Sequence, residues 1–219
     1  MWAGCSFRLI DRRIAALSFM SLAIAFACAR FSQTILAADK NTSSKKQVEH
    51  VFNTQPRDDK AAASAFTQMV PVLRNPRCIN CHSTGDFPRQ GDDGHPHAMN
   101  VRRDPEGHGV TAEKCGTCHQ DHNTPGLHMP PGAPEWALPP PNIPMIWQGR
   151  SDAQVCAQIK DPNQNNHKSM DEIVHHMTKD ELVGWGWHPG DGRNAIPIPR
   201  EQFAQYVEEW AAKGGACPQ

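Results

Sequence analysis

Cys78-Ile79-Asn80-Cys81-His82 and Cys115-Gly116-Thr117-Cys118-His119 are two copies of one pentapeptide pattern. Each copy has the form C-x-x-C-H, the signature for covalent attachment of a c-type haem. The spacing follows from the chemistry, because two thiols one helical turn apart can add to the two vinyl groups of one porphyrin. The histidine that follows then lies beneath the ring as an iron ligand. We therefore predict two covalently bound haem c groups, with His82 and His119 as their proximal ligands.

Two other uses of paired cysteines explain this sequence less well. Zinc ribbons separate their cysteine pairs by about 15–20 residues, whereas 33 residues lie between Cys81 and Cys115. A structural zinc site also leaves both adjacent histidines without a role. A dithiol redox motif opens a helix after a strand, and no strand-like run precedes either pair.

The N-terminal segment has the pattern of an export signal. A basic region with Arg8, Arg12 and Arg13 precedes a run of small and apolar residues over 14–29. That run is shorter than the roughly 20 residues of a membrane span. Because c-type haem is attached outside the cytoplasm, an export signal agrees with the two haem motifs. We predict a signal peptide over 1–38 and a periplasmic location, with no integral membrane segment after its removal.

The position of signal cleavage decides where the mature chain begins. Cleavage near Ala38 leaves a flexible polar linker over 39–59 and a dihaem cytochrome c domain over 60–219. The A-x-A pattern of 27–29 is a second candidate cleavage site. Cys28 is also a candidate for lipidation, and the apolar run is a candidate for an uncleaved anchor.

Cysteine counting leaves one further pair. Eight cysteines are present; Cys5 and Cys28 belong to the leader, and four belong to the haem motifs, which leaves Cys156 and Cys217. In an oxidising compartment, two leftover thiols indicate one disulfide. This bond would tie the C-terminus to an earlier helix. Two buried free thiols are the competing interpretation.

The charge balance excludes some classes of partner. Without the leader, the chain has 18 basic and 22 acidic residues, a net charge of −4. This balance argues against binding to nucleic acid or to an anionic membrane surface. It is compatible with docking on a basic patch of a redox protein.

The pattern along the chain predicts a mainly α fold with extensive irregular loops and few or no strands. Apolar residues at helical spacing predict a helix from Asp59 to Leu73, with Pro71 kinking its end. Loops over 83–111 and 123–150 are rich in glycine or proline and would wrap the porphyrins. Because 19 prolines and 16 glycines are spread throughout, we expect little conventional core, and the porphyrins would supply the missing apolar mass.

Helix start signals are visible in the C-terminal third. Ser151-x-x-Gln154 and Ser169-x-x-Glu172 are capping boxes, and Thr178-x-x-Glu181 predicts a third start. Pro199 predicts the beginning of a last helix, which Gly214-Gly215 would end.

Each iron has a second axial position, for which the chain offers many histidines and methionines. We predict bis-histidine ligation by His97, in the loop between the motifs, and by His176, near the apolar face of the helix after Ser169. Met99 and Met177 are the competing thioether ligands, and thioether ligation would raise the reduction potential. The remaining side chains of ligating type are His95, His108, His122, His128, Met129, Met145, His167, Met170, His175 and His188.

Several short segments besides the haem motifs resemble a family of small bacterial dihaem c-type cytochromes, some of which are named isoquinoline 1-oxidoreductase subunit. The resemblance runs from about residue 60 to the end. These segments are Pro76-Arg77-Cys78, Gln90-Gly91-Asp92-Asp93, His97-x-Met99-Asn100-Val101, Pro131-Gly132-Ala133-Pro134-x-Trp136, His176-Met177, Trp185-Gly186-Trp187 and Gly215-Ala216-Cys217-Pro218.

The resemblance implies a redox role, as the electron acceptor of a molybdenum hydroxylase. It also implies that His97 and His176 are ligand positions alongside the motif cysteines and histidines. Nothing in the chain resembles a molybdopterin or iron–sulfur domain, so the chain itself would not oxidise a heterocycle. Asp104 stands where the family pattern leads us to expect glycine.

Together these patterns predict an electron carrier and not an enzyme, passing electrons between a dehydrogenase or other oxidoreductase and a redox partner. The competing hypothesis is a dihaem peroxidase or reductase with one open iron position, in which His95 or His122 serves in acid–base catalysis.

Overall fold

The structure, a computed structural model, describes residues 56–219. Six α-helices occur in this part of the chain: α1 Asp59–Leu73, α2 Pro76–Ile79, α3 Asp152–Lys160, α4 Met170–Lys179, α5 Glu181–Gly184 and α6 Arg200–Ala212. Short 3₁₀ turns lie at Ala98–Asn100, Cys115–Thr117 and Trp185–Trp187. Strands β1 Arg89–Gln90 and β2 His95–Pro96 form one antiparallel hairpin. The prediction of a mainly helical fold with long loops and few strands is confirmed.

The predicted signal peptide over 1–38 and the predicted linker as far as residue 55 lie outside the described residues. Among residues 56–219, no helix combines the length and the apolar character needed to cross a bilayer.

Helix α1 begins and ends where its apolar spacing predicts. Asp58 caps it, since its Oδ1 accepts a hydrogen bond of 3.0 Å from the Ala61 backbone N–H. Pro71 lies in the last turn, and Leu73 is the last helical residue. The apolar face of α1 is buried and consists of Ala62, Ala65, Phe66, Met69, Val72 and Leu73.

A helical core lies behind this face, contrary to the expectation of little conventional core. Helix α1 packs along α6, α4 also packs on α6, and α3 packs on α1. The rings of Phe66 and Trp210 meet at 5.5 Å between centroids, and both side chains are fully buried. The modest apolar content is concentrated on one face of each helix, so it builds a core despite the many loop residues.

The C-terminal helix signals are confirmed with one exception. Both capping boxes are formed, at the start of α3 and at the start of α4. The start predicted at Thr178 is wrong, because Thr178 lies inside α4 and its hydroxyl donates to the Val174 carbonyl. Asp180 instead caps α5, accepting from the Leu182 backbone N–H at 2.8 Å. A carboxylate closer to the helix start takes the capping role.

The last helix and the C-terminus agree with the sequence pattern. Pro199 precedes α6, and Gly214 and Gly215 follow it with φ angles of 100° and 63°. Such angles favour glycine. Beyond them, Cys217 forms the predicted disulfide with the fully buried Cys156 of α3, at 5.6 Å between Cα atoms.

Removing this disulfide should destabilise the domain strongly. The bond joins cysteines 61 residues apart, and closing a loop of that length restricts the unfolded chain by about 4 kcal/mol. We expect the double variant Cys156→Ala/Cys217→Ala to lose free energy of unfolding of that order in urea titrations. Reducing the disulfide of the unsubstituted protein is the matched control and should give a similar loss. Equal stability with and without the bond would contradict this role.

Candidate functional site

The two C-x-x-C-H segments adopt the same turn. In the first, the backbone N–H groups of Cys81 and His82 donate to the Cys78 carbonyl at 3.2 and 3.1 Å. In the second, those of Cys118 and His119 donate to the Cys115 carbonyl at 3.2 and 2.9 Å. Each segment therefore presents two thiols and a histidine in the same order along one helical turn, although α2 forms the first and a 3₁₀ turn the second.

The first motif histidine is held by one hydrogen bond and one stacking contact. His82 Nδ1 donates to the Met145 carbonyl at 2.8 Å. Its ring stacks on Trp147 with 3.7 Å between centroids and 6° between planes. Burial lowers the pKa of His82 to about 4, so the imidazole is neutral at pH 7. With the proton on Nδ1, the lone pair of Nε2 is available to a metal ion.

The second motif histidine is held in the same way by a different loop. His119 Nδ1 donates to the Pro131 carbonyl at 2.7 Å. Its ring stacks on Trp136 with 4.5 Å between centroids and 4° between planes. Burial lowers the pKa of His119 as well. The two sites therefore repeat one arrangement of thiols, imidazole, backbone carbonyl and indole.

The predicted distal residue His176 shares a cavity with the first motif. The cavity has a volume of about 300 Å³, a size found for small-molecule and cofactor sites. His176 Nδ1 donates to Asp180 Oδ2 at 3.0 Å, so Nε2 is the ring nitrogen available to a metal. Among the residues lining the cavity are Cys78, Cys81, His82, His176, Val72, Leu73, Leu138, Ile143, Trp147, Ile173, Met177 and Leu182.

The predicted distal residue His97 lies beside the second motif. Its ring centre is 6.0 Å from that of His119, and the ring planes are inclined by 63°. Its Nδ1 donates to the Ala98 carbonyl at 2.7 Å. Imidazole nitrogens bind metals such as zinc at about 2 Å, so this ring separation leaves room for one metal ion between the two histidines. The sequence did not assign either distal candidate to a particular motif; the structure places His176 in the cavity of the first motif and His97 beside His119 of the second.

The surroundings of the competing ligand candidates show which of them can reach a site. His95 has both ring nitrogens engaged, Nδ1 with Asp93 at 2.6 Å and Nε2 with Gln90 at 3.0 Å, within the turn of the β hairpin. Met99 has 73% of its surface exposed, whereas Met177 is buried in the wall of the first cavity. Of these two methionines, Met177 is therefore the one with access to the first site; Met145 lines the same cavity.

Three of the four motif thiols lack the environment of reactive or zinc-binding cysteines, and the fourth, Cys118, is exposed. Burial raises the pKa of Cys78 to about 12 and that of Cys81 to about 11, and it also raises the pKa of Cys115. Dithiol redox motifs depend on a lowered thiol pKa. Within residues 56–219, no cluster of three or more His, Cys, Asp or Glu side chains is arranged to hold a metal ion. Neither the dithiol nor the zinc interpretation has support from this geometry.

The two sites adjoin each other. Trp136 stacks on His119 and also lines the cavity of the first motif. Trp185 meets Trp136 edge-on, at 5.0 Å between centroids, and the Arg77 guanidinium lies 5.7 Å from the centre of the Trp185 ring. Aromatic side chains thus fill the space between the first cavity and the second motif.

Comparisons of the chain with protein-family models, with curated proteins and with solved structures find no match. The resemblance to dihaem c-type cytochromes therefore stays a prediction, carried by the motifs and the geometry of their surroundings.

Some residues of the site were not found by sequence reasoning. The stacking of Trp147 on His82 joins positions far apart in sequence, and no spacing rule relates them. Asp180 was missed because the predicted helix start at Thr178 left it without a role. Its position four residues after His176, on one helix face, was the signal that could have identified the pair.

Asp104, found where we expected glycine, has a structural role of its own. Its backbone is not in the left-handed region, so glycine is not required there. Its Oδ2 accepts from Lys114 Nζ at 2.6 Å, and its Oδ1 accepts from the His108 N–H at 2.7 Å. These bonds connect the loop between the motifs to the residue before Cys115, and they lower the pKa of Asp104 to about 2.

The ion pair of Asp104 predicts a pH-dependent contribution to stability. Because its folded pKa lies below the unfolded value of about 3.9, the contribution is fully present above pH 4 and is lost as the pH falls towards 2. We expect Asp104→Asn to be less stable than the unsubstituted protein at pH 7, with the difference disappearing by pH 2, in urea unfolding over that range.

The matched control is Asp86→Asn, which removes an exposed ion pair with Arg102. Exposed ion pairs contribute little to the free energy of unfolding, so this variant should have nearly the same stability as the unsubstituted protein. A stability difference for Asp104→Asn that persists unchanged from pH 7 to pH 2 would exclude the carboxylate as its source.

Proposed function

We propose that this chain is an exported, periplasmic electron-transfer protein that holds two covalently bound c-type haems. The observation that carries the proposal is a repeated pairing of histidines. Each C-x-x-C-H histidine lies close to a second histidine, and all four donate from Nδ1 to an oxygen acceptor. Histidines that bind metals through Nε2 almost always make such a bond from the other nitrogen.

The chemistry of each donor set fits one haem. Cys78 and Cys81 would form the thioether bonds at the first site, and His82 and His176 would bind its iron. At the second site, the two thioether bonds would come from Cys115 and Cys118. His119 and His97 would complete its coordination. Iron held in this way supplies one-electron oxidation and reduction.

The residues of the chain would orient the ligands, exclude water and present one site to a partner. The backbone carbonyls of Met145 and Pro131 fix the proximal rings, and a mostly apolar wall surrounds the first site. The second site includes the exposed Cys118. Electrons would therefore be exchanged with a protein partner at the second site and shared with the buried first site.

The proposed partner is another redox protein, a dehydrogenase or other oxidoreductase. A molybdenum hydroxylase is the specific partner that the family resemblance implies. The net charge of −4 without the leader supports docking on a basic surface and gives no support to a nucleic-acid partner.

The haem content of the matured protein tests the proposal. After export in a host that attaches c-type haem, we expect two haems per chain by pyridine haemochrome assay, retained in a denaturing gel. Cys78→Ala/Cys81→Ala and Cys115→Ala/Cys118→Ala should each leave one haem. The matched control, Cys156→Ala/Cys217→Ala, should keep two, because the disulfide cysteines lie outside both motifs. A colourless product, or one that holds zinc without Soret absorbance, would refute the proposal.

Spectra of single variants test the four ligands. We expect a low-spin spectrum for the unsubstituted protein, and conversion of one haem to a high-spin, carbon monoxide-binding form in His97→Ala or His176→Ala. His175→Ala is the matched control, since this exposed neighbour of His176 does not line the cavity of the first motif. Unchanged low-spin spectra in both distal variants would exclude the pair. Ready binding of cyanide or carbon monoxide by the unsubstituted protein would favour the dihaem enzyme.

A further inference from the structure

Among the four paired histidines, His176 alone is hydrogen-bonded to a carboxylate. The other three donate from Nδ1 to neutral backbone carbonyls, whereas His176 donates to Asp180 Oδ2 at 3.0 Å. The carbonyl acceptors of His82, His97 and His119 belong to Met145, Ala98 and Pro131 respectively. The first site therefore has a charged acceptor behind one ligand, and the second site has none.

Hydrogen bonds to both the side chain and the backbone carbonyl hold Asp180 in place. Its Oδ1 accepts from the backbone N–H groups of Leu182 at 2.8 Å and Val183 at 3.4 Å, as the cap of α5. Its own carbonyl accepts from Arg200 Nη2 at 2.8 Å. Hydrogen bonds from N–H donors stabilise the ionised form of a carboxyl group. The carboxylate thus faces His176 with a fixed orientation and a negative charge.

We propose that Asp180 is a positioning residue that lowers the reduction potential of the first site through its hydrogen bond to His176. This inference rests on the proposed function. A carboxylate acceptor makes the imidazole a more basic ligand, and a more basic ligand stabilises ferric iron over ferrous iron. Hydrogen bonding to ligands is one of the means by which proteins set haem potentials.

The effect of Asp180 opposes two features that favour ferrous iron at the first site. The cavity has a mostly apolar lining, and apolar surroundings disfavour the more highly charged ferric state. The guanidinium of Arg103 also lies close by, donating to the Cys81 carbonyl at 3.1 Å. The carboxylate therefore offsets part of the rise in potential that these two features would cause at the first site.

Midpoint potentials of the mature dihaem protein test the inference. Asp180→Asn keeps a helix-capping side chain of the same size but removes the charge, and Asp180→Ser keeps a cap while shortening the side chain. We expect the ferric/ferrous equilibrium constant of one haem to change by about tenfold in favour of the ferrous form. The midpoint potential of that haem, seen as one of the two one-electron waves, should therefore rise by about 59 mV. The other wave should not move.

Asp58→Asn is the matched control, because Asp58 also caps a helix with its carboxylate and contacts no ligand histidine. Both of its waves should match those of the unsubstituted protein. If two haems are bound and neither wave moves in the Asp180 variants, the inference fails while the proposed function stands. An equal shift of both waves would also overturn it, since that is a general charge effect. Absence of haem would refute the proposed function itself.

One measurement is independent of how the variants fold. In the reduced, low-spin unsubstituted protein, nitrogen NMR should find the His176 proton on Nδ1, hydrogen-bonded to Asp180. A His176 ring without a proton on Nδ1 would overturn the inference.

Discussion

The packing of α1 and α4 against α6 is the interaction on which the rest of the structure depends. Helix α1 leads directly to α2 and its two thiols, and α4 presents His176. Because both helices pack on α6 through a shared apolar core, the end of α1 and the face of α4 enclose a common space. The cavity of the first motif is therefore a product of ordinary helix packing, closed on its remaining side by the proline-rich loop that contains Met145 and Trp147.

The second site has the same kinds of side chain and backbone contact as the first, but helices do not surround it. Its turn, its carbonyl acceptor and its stacked indole repeat those of the first site. Its distal candidate comes from a loop, and its Cys118 is exposed. One arrangement of side chains thus occurs twice, once behind a wall of helices and once at the surface. This difference in enclosure gives the two sites different access to solvent.

Local patterns predicted the parts of the fold that short-range physics controls. The bounds of α1, the capping boxes of α3 and α4 and the start of α6 depend on neighbouring residues, and all are as expected. The Cys156–Cys217 bond followed from cysteine counting. The core was underestimated, because average composition conceals how apolar residues concentrate on single helix faces. The stacked tryptophans depend on tertiary placement, which the pattern of one sequence does not encode in a readable form. The His176–Asp180 pair has a local i,i+4 spacing and was readable, but the helix start predicted at Thr178 concealed it.

The buried and exposed thiols also bear on how the protein matures. Under the proposed function, Cys156 and Cys217 would have to pair in an oxidising compartment while the four motif thiols are not yet bound to haem. Thiol–disulfide exchange requires a thiolate, and in the folded chain burial keeps Cys78 and Cys81 protonated. Cys118, in contrast, is open to solvent. If both motifs take up haem as proposed, incorrect disulfide pairing before attachment would threaten the second motif far more than the first, so the order in which the two haems are attached would matter.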